Sequence, residues 1–165
     1  MEIRLFKLEK GLKLLLSFFL IVLTIGVSVG VVYLKFTTKM NAKGTIERYN
    51  GSTETEFEVQ ENYPKSISEM LVTTHSHVII FAIIFLIIGI IFYFSSIING
   101  FWKIFLITEP LISTLVTFTS IWGIRFIDEL FVYLTIFSAI LMYLSFYIMS
   151  FLALYELIFM KNERQ

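Results

Sequence analysis

The residue best placed for chemistry in this sequence is Glu109, an acid inside a stretch of apolar residues long enough to cross a bilayer. A carboxylate in the hydrocarbon region costs about 2.5–3.5 kcal/mol on insertion scales, so an ionisable residue there is a functional-site hypothesis by default. Hydroxyl residues follow it at helical spacing, at Ser113, Thr117 and Ser120. The spacing predicts a polar column on one helix face, where Glu109 exchanges protons or guards a polar path.

Two structural interpretations of Glu109 compete with this one. In the first, the acid is mostly protonated and hydrogen-bonded across the bundle to Ser145 or Tyr143. In the second, the carboxylate reaches the inner membrane interface and pairs with Lys103. No cation is expected at the depth of Glu109 itself, because it follows Ile104 by five residues, which places it roughly 8 Å into the span. The sequence leaves the proton-exchanging and the structural interpretations open.

A second candidate site involves the two histidines of the chain, His75 and His77. Positions two apart on a helix point about 200° from each other, so the pair cannot chelate one ion from one straight helix. A metal would need one of the histidines together with Asp128 or Glu129 of a neighbouring helix. Imidazole with carboxylate suits Zn, Mn or Fe. The sequence therefore predicts a divalent-metal site at the outer face of the membrane.

A haem b is the alternative ligand at the same face. Helical bundles hold haem through axial histidines, and Arg125 would pair with a propionate. Both histidines lie on one helix, so the second axial ligand would have to be a Met, a Tyr or a residue of another subunit. The remaining interpretations are hydrogen-bonded histidines at the membrane interface and a pH-sensing role. The acids have a structural interpretation of their own, in which Asp128 caps the start of the fourth span and pairs with Arg125.

The amino-acid composition indicates the class of protein in which these residues are positioned. Of the 165 residues, 57% are hydrophobic and 17% aromatic, and only 16% are charged, whereas soluble domains have about 25% charged residues. A water-soluble domain is excluded, because its surface would lack polar side chains. The 13 basic and 13 acidic residues balance, so a nucleic-acid partner is not indicated. The sequence has no Cys, which excludes disulfides and thiolate chemistry.

Four stretches are long and apolar enough to span a bilayer, which needs about 20 residues. They predict an all-α, integral-membrane four-helix bundle that forms a single domain over residues 1–165. The spans are residues 14–34, 78–98, 104–123 and 130–154, and residues 35–77 form an outer loop. Four cations precede the first span (Arg4, Lys7, Lys10 and Lys13). Cytoplasmic flanks carry such an excess, so we expect both termini in the cytoplasm. The Ile-, Phe- and Lys-rich composition suits a bacterial protein.

The outer loop contains signals for a turn and for a helix start. Asn50-Gly51 supplies the residues with positive φ that a tight turn needs, which predicts a β-hairpin with arms at 45–49 and 52–60. Three acids alternate along the second arm, Glu54, Glu56 and Glu58, as a solvated face or a cation site. Ser66 and Glu69 have the spacing of a capping box. They predict a helix that runs unbroken into the second span.

Small residues mark the faces where membrane helices approach each other closely. Gly26 and Gly30 form a GxxxG pattern in the first span, which indicates internal packing or dimerisation, with internal packing favoured. The fourth span carries a stripe at alternating three- and four-residue spacing that should face protein. Its members are Thr135, Ser138, Met142, Ser145, Met149, Leu152 and Glu156.

These features predict a small multi-pass protein that serves as an accessory or interaction subunit of the cytoplasmic membrane. Its partners would be the lipid bilayer and either a membrane protein or a second copy of itself. No phosphate-binding loop, HExxH or G-x-S-x-G motif is present, so the sequence does not favour an enzyme. The alternatives are a proton- or solute-conducting protein that uses Glu109 and a purely structural subunit.

Overall fold

The structure, a computed structural model, describes residues 4–52 and 62–160, and within these residues it contains helices and no strands. A single 3-10 turn at Leu5–Lys7 precedes the α-helices. The helices are α1 (Lys10–Thr38), α2 (Ala42–Asn50), α3 (Ile67–Tyr93), α4 (Phe101–Phe126) and α5 (Phe131–Phe159). Among them, α1, α3, α4 and α5 are long and apolar enough to cross a membrane. The prediction of an all-α chain with four spans is confirmed.

The most extensive helix pairing joins α4 and α5. A short turn connects them, in which the backbone N–H groups of Ile127 and Asp128 both donate to the Gly123 carbonyl at 2.9 and 3.0 Å. The Phe131 ring lies directly over Gly123, where a Cβ would collide with it. Glycine at this position therefore lets the start of α5 fold back onto the end of α4.

The other two long helices lie against this pair. Helix α3 packs on α4 and α5, and α1 packs on α5 and α2. The main apolar core contains large side chains of α3 and α5, among them Phe85, Phe92, Phe146 and Met149. Helix α1 is the most peripheral: 11% of its most apolar window is buried, against 44% for α4.

The predicted β-hairpin is wrong in its first arm, because residues 45–49 belong to α2. Asn41 caps this helix by accepting a hydrogen bond from the Gly44 N–H at 2.7 Å. Gly51, with φ of 87°, ends it, as glycines with positive φ commonly end helices. The Asn-Gly signal thus marks a helix end and not a hairpin turn. Residues 53–60 of the predicted second arm lie outside the described residues.

Helix α2 lies across one end of the long helices, which we call the α2 end. The Arg48 guanidinium donates to the Tyr33 hydroxyl at 2.8 Å, and the Asn50 amide donates to Glu129 at 3.3 Å. Tyr49 packs against a small cluster that includes Met70 and Trp122. Burial raises the pKa of the Tyr49 phenol, and the neighbouring Arg48 partly opposes this. We call the opposite end, which carries Leu5–Lys7 and Met160, the termini end.

The predicted capping box is confirmed at the start of α3. The Ser66 hydroxyl accepts from the Glu69 N–H at 3.3 Å, and the Glu69 carboxylate accepts from the Ser66 N–H at 2.8 Å. The helix runs unbroken to Tyr93, so both histidines lie on it. It ends five residues before the predicted limit of the second span, and residues 94–100 form the α3–α4 link.

Candidate functional site

The polar residues of α4 and α5 meet along one buried contact, which we call the polar seam. Helical spacing places them on the facing sides of the two helices. Each member is less than 9% exposed, so these side chains face protein and not lipid. The seam consists of Glu109, Ser113, Thr114, Thr117 and Ser120 of α4 with Thr135, Ser138, Met142 and Ser145 of α5.

Glu109 accepts hydrogen bonds from two hydroxyl groups. Oε1 accepts from Ser113, one turn further along α4, and Oε2 accepts from Ser145 of α5 at 2.7 Å. The cross-bundle bond to Ser145 is one of the two that the sequence predicted. Lys103 instead donates to the backbone carbonyls of Ser95 at 2.6 Å and Tyr93 at 3.2 Å. Because a hydroxyl can donate or accept, Ser113 and Ser145 can stay hydrogen-bonded to Glu109 as a carboxylate or as a carboxylic acid.

The rest of the polar seam is hydrogen-bonded in separate groups. Thr117 and Ser138 join their hydroxyls across the helices at 2.7 Å, and Thr114 contacts the Met142 sulfur at 3.4 Å. Ser120 donates back to the Val116 carbonyl of its own helix at 2.7 Å. The predicted column of Glu109, Ser113, Thr117 and Ser120 is therefore buried on one face, but its hydroxyls do not bond to each other in one continuous chain.

A second buried acid, Glu156, lies at the termini end and was not singled out as a site from the sequence. Its relative exposure is 0%. Oε2 accepts from the Ser95 hydroxyl at 2.6 Å and from the Ser96 N–H at 2.8 Å, and Oε1 accepts from the Ser96 hydroxyl at 2.9 Å. The signal that could have found it is its position as the last member of the α5 stripe, beyond the predicted end of the span at residue 154.

The α3–α4 link, whose Ser95 and Ser96 bind Glu156, is also contacted by cationic side chains. The Ser95 carbonyl, which accepts from Lys103, also accepts from the Arg4 guanidinium at 3.3 Å, and the Phe94 carbonyl accepts from the Leu5 N–H at 3.1 Å. The α3–α4 link is thus held by α5 on one side and by the N-terminal segment on the other.

The two histidines point to different sides of α3, and both are exposed. The Nδ1 atom of His77 lies 2.8 Å from the Thr73 carbonyl oxygen, and its ring centroid lies 5.5 Å from that of Phe118 on α4. His75 lines a groove between α3 and α4. The predicted divergence of positions two apart on a helix accounts for this arrangement.

The acids proposed as metal ligands with them are engaged elsewhere. Asp128 accepts from the Leu130 N–H at 2.7 Å, just before α5, and Glu129 accepts from Asn50 of α2. Within residues 4–52 and 62–160, no three His, Asp or Glu side chains come together as a metal site requires. Arg125 donates from Nε to the Lys65 carbonyl at 2.9 Å. The structure therefore does not assemble His75, His77, Asp128 and Glu129 into one site, nor does Arg125 pair with Asp128.

Gly26 and Gly30 of α1 do not pack against another helix. Among the described residues, no atom of another helix lies within 4 Å of where a Cβ would stand at either position. Within the described residues, the GxxxG pattern therefore has no neighbouring helix against it, in contrast to the internal packing that the sequence favoured. Helix α1 instead meets the rest of the protein through another face, which carries the buried Leu20 and a 2.8 Å hydrogen bond between the hydroxyls of Ser28 and Tyr147 of α5.

Comparison with characterised proteins and with solved structures gives no significant match. A family model of a transmembrane helical domain matches residues 39–164, which is more than half of the chain. The match begins immediately after α1 ends and includes α2, α3, α4 and α5. With its four apolar helices, the protein is a multi-pass membrane protein in contact with the lipid bilayer. The chain belongs to the Aq_1264_TM family of transmembrane helical domains.

Proposed function

We propose that this protein is a small membrane subunit in which Glu109 takes up and releases a proton. The observation that carries the proposal is the burial of this acid, 6% exposed, between two hydroxyl partners from α4 and α5. When Glu109 is ionised, both hydroxyls donate to it. When it is protonated, it donates to one hydroxyl and accepts from the other. Both states keep two hydrogen bonds, so neither leaves a buried polar group unpaired.

The depth of Glu109 supports exchange with the termini end. The residue follows the first residue of α4, Phe101, by eight positions, which is roughly 12 Å at 1.5 Å per residue. The opposite end of α4 is about twice as far away. Beyond Glu109, the separate hydroxyl groups of the polar seam would need a bridging water or a side-chain rotation to pass a proton further along the span.

The experiment is proton uptake into liposomes that contain the purified protein and a trapped pH-sensitive dye. We expect wild-type protein to accelerate uptake and Glu109→Gln to abolish the acceleration, because the amide cannot exchange a proton in this range. Ser120→Ala is the matched control, since Ser120 lies in the same column but bonds to its own helix. Equal uptake by wild type and Glu109→Gln, or no uptake above empty liposomes, would contradict the proposal.

The second candidate function is that of an accessory subunit that binds a partner helix through α1. The observation that favours it is the unfilled face at Gly26 and Gly30, because small residues allow close approach of another membrane helix. Native membranes cross-linked and then solubilised should contain the protein in a larger complex. Gly26→Leu with Gly30→Leu should dissociate that complex, whereas Val29→Leu at a neighbouring exposed position should not. A monodisperse wild-type monomer would count against this function.

A further inference from the structure

A groove of about 400 Å³ opens between α3 and α4 near the α2 end. We call it the His75 groove. Its walls include Thr74, His75 and Ile79 of α3 and Leu115, Thr119 and Trp122 of α4. His75, Ile79, Leu115 and Thr119 are exposed, so the groove faces outward from two membrane-spanning helices. Its size lies in the range of about 300–1,000 Å³ that is common for small-molecule sites.

The groove changes from polar to apolar along the direction of the helices. Its polar part lies at the α2 end, where the Trp122 indole N–H donates to the Thr74 hydroxyl at 2.9 Å. Tryptophan rings concentrate at the membrane–water interface. One turn deeper on α3 lies Ile79, and two turns deeper on α4 lies Leu115. A ligand in this groove would therefore have a polar head at the interface and an apolar tail towards the bilayer centre.

Of the polar groups near the groove mouth, His75 is the one that can bind the polar head of a ligand. The Trp122 N–H and the Thr74 hydroxyl are joined to each other, and His77 faces a carbonyl of its own helix. Among residues 4–52 and 62–160, no group forms a hydrogen bond with His75. Its imidazole N–H is thus available to an acceptor oxygen at the mouth of the groove.

The aromatic rings beside the groove favour a flexible chain over a planar ligand. The ring of Phe118, in the groove wall, already contacts His77 and Phe81, with centroids 5.5 and 6.0 Å away. The Trp122 ring contacts Phe126, with centroids 5.5 Å apart. An aliphatic chain over Ile79 and Leu115 needs no such stacking partners.

We propose that the His75 groove binds one phospholipid of the surrounding bilayer. One acyl chain lies along Ile79 and Leu115, and an oxygen of the polar head accepts a hydrogen bond from His75. This site is independent of Glu109. The protein provides its own comparison in a second groove of about 320 Å³ between the same helices, lined by Leu86, Gly89, Ile90 and Leu111 and apolar apart from Tyr93. We call it the Gly89 groove.

The test is photo-cross-linking of the full chain in phosphatidylcholine liposomes that contain a trace of the same lipid with a photoreactive acyl chain. Mass spectrometry then maps the labelled residues. We expect labelling of Ile79 and Leu115 in excess over the Gly89 groove, and Leu115→Trp should remove it by filling the space. His75→Ala should lower it about fivefold, which is the contribution of one ordinary hydrogen bond.

His77→Ala is the matched control, because this histidine lies on the same helix and is bonded to its own backbone. It should leave labelling of the His75 groove unchanged, and circular dichroism confirms that each variant remains helical. Equal labelling of both grooves would mean that only non-selective boundary lipid is present, and the proposal would be overturned. A labelling excess that is unaffected by both His75→Ala and Leu115→Trp would overturn it equally.

Discussion

Glu109 and Glu156 are both buried carboxyl groups, but different kinds of donor hold them. Glu109 is bound by two hydroxyls, which can reverse their direction. Glu156 is bound by two hydroxyls and by the Ser96 N–H, which can only donate. The Ile97 N–H donates to the Ser95 oxygen at 3.3 Å, which directs the Ser95 proton towards Glu156. The donors to Glu156 thus include ones that cannot reverse their direction, whereas both partners of Glu109 can donate or accept.

The two acids also differ in how many cationic side chains lie near them. Glu156 lies at the termini end, where Arg4 and Lys103 converge on the Ser95 carbonyl and Lys13 donates to the Met160 carbonyl at 3.4 Å. Within the described part of the chain, Glu109 is bound only by Ser113 and Ser145. We therefore infer that the direction of the donors, more than the depth of the acid, separates the structural role of Glu156 from the proton exchange proposed for Glu109.

The largest effect should come from removing the acceptor at the termini end. Glu156→Ala leaves the Ser95 hydroxyl and both Ser96 donors without their acceptor. Each buried donor left unpaired costs about 1–3 kcal/mol, so we expect the free energy of unfolding to fall by about 3 kcal/mol. Denaturation in detergent micelles, followed by circular dichroism, measures it.

Glu129→Ala is the matched control for that variant. Glu129 is exposed and accepts a single hydrogen bond at 3.3 Å from Asn50, so its removal should change stability by no more than about 0.5 kcal/mol. If Glu156→Ala destabilises the protein no more than Glu129→Ala, the hydrogen bonds at Glu156 do not fasten the fold.

Amide substitutions keep the shape of the two acids but replace one acceptor oxygen with a donor group. In Glu156→Gln the amide oxygen can occupy the Oε2 position and keep both of its donors, but the Ser96 hydroxyl that donates to Oε1 must turn to accept from the new NH2 group. Because one of the three hydrogen bonds has to reverse its direction, we expect a loss of about 1 kcal/mol, the contribution of one ordinary hydrogen bond. Glu109→Gln should cost less than about 0.5 kcal/mol, because its hydroxyl partners can turn to suit the amide. A larger loss at Glu109 than at Glu156 in the same denaturation assay would reverse the comparison.

Local sequence signals were sufficient to predict the four long helices, the capping box and the facing hydroxyl stripes. Apolar length and residue periodicity are properties of one segment at a time. Ser66 and Glu69 form their contacts within one helical turn, and the residues of the polar seam need only a common helix face. These features do not depend on how the helices are arranged around each other.

The features that sequence did not predict depend on where separate segments meet. The donors to Glu156 are available because α3 ends at Tyr93, whereas the predicted span continued to residue 98 and placed Ser95 and Ser96 inside it. Asn50-Gly51 offers a positive φ that suits a hairpin and a helix end alike, and α2 resolves that ambiguity. The rotation of α3 about its axis, which places His75 in the groove beside α4 and His77 against Phe118, leaves no local signal.

A double-mutant cycle sharpens the comparison at Glu109. Ser145→Ala removes the bond that joins Glu109 to α5, and Glu109→Ala removes the other partner of the same bond, as such a cycle requires. Hydrogen bonds between membrane helices average about 0.6 kcal/mol in such cycles, so we expect a coupling energy of that order. A cycle in which the two single effects simply add would mean that the 2.7 Å contact contributes nothing to the stability of the helix pair.

The smallest effect should come from the uncharged pair of the polar seam, Thr117 and Ser138. Ser138 also donates to the Leu134 and Thr135 carbonyls of its own helix at 2.8 and 3.2 Å, so its hydroxyl has other acceptors when Thr117 is lost. We therefore expect Thr117→Val and Ser138→Ala to couple by less than the average of about 0.6 kcal/mol. The same unfolding assay measures both cycles. Because the two pairs join the same helices, a stronger coupling at Thr117 and Ser138 than at Glu109 and Ser145 would show that the acid is not the centre of the seam.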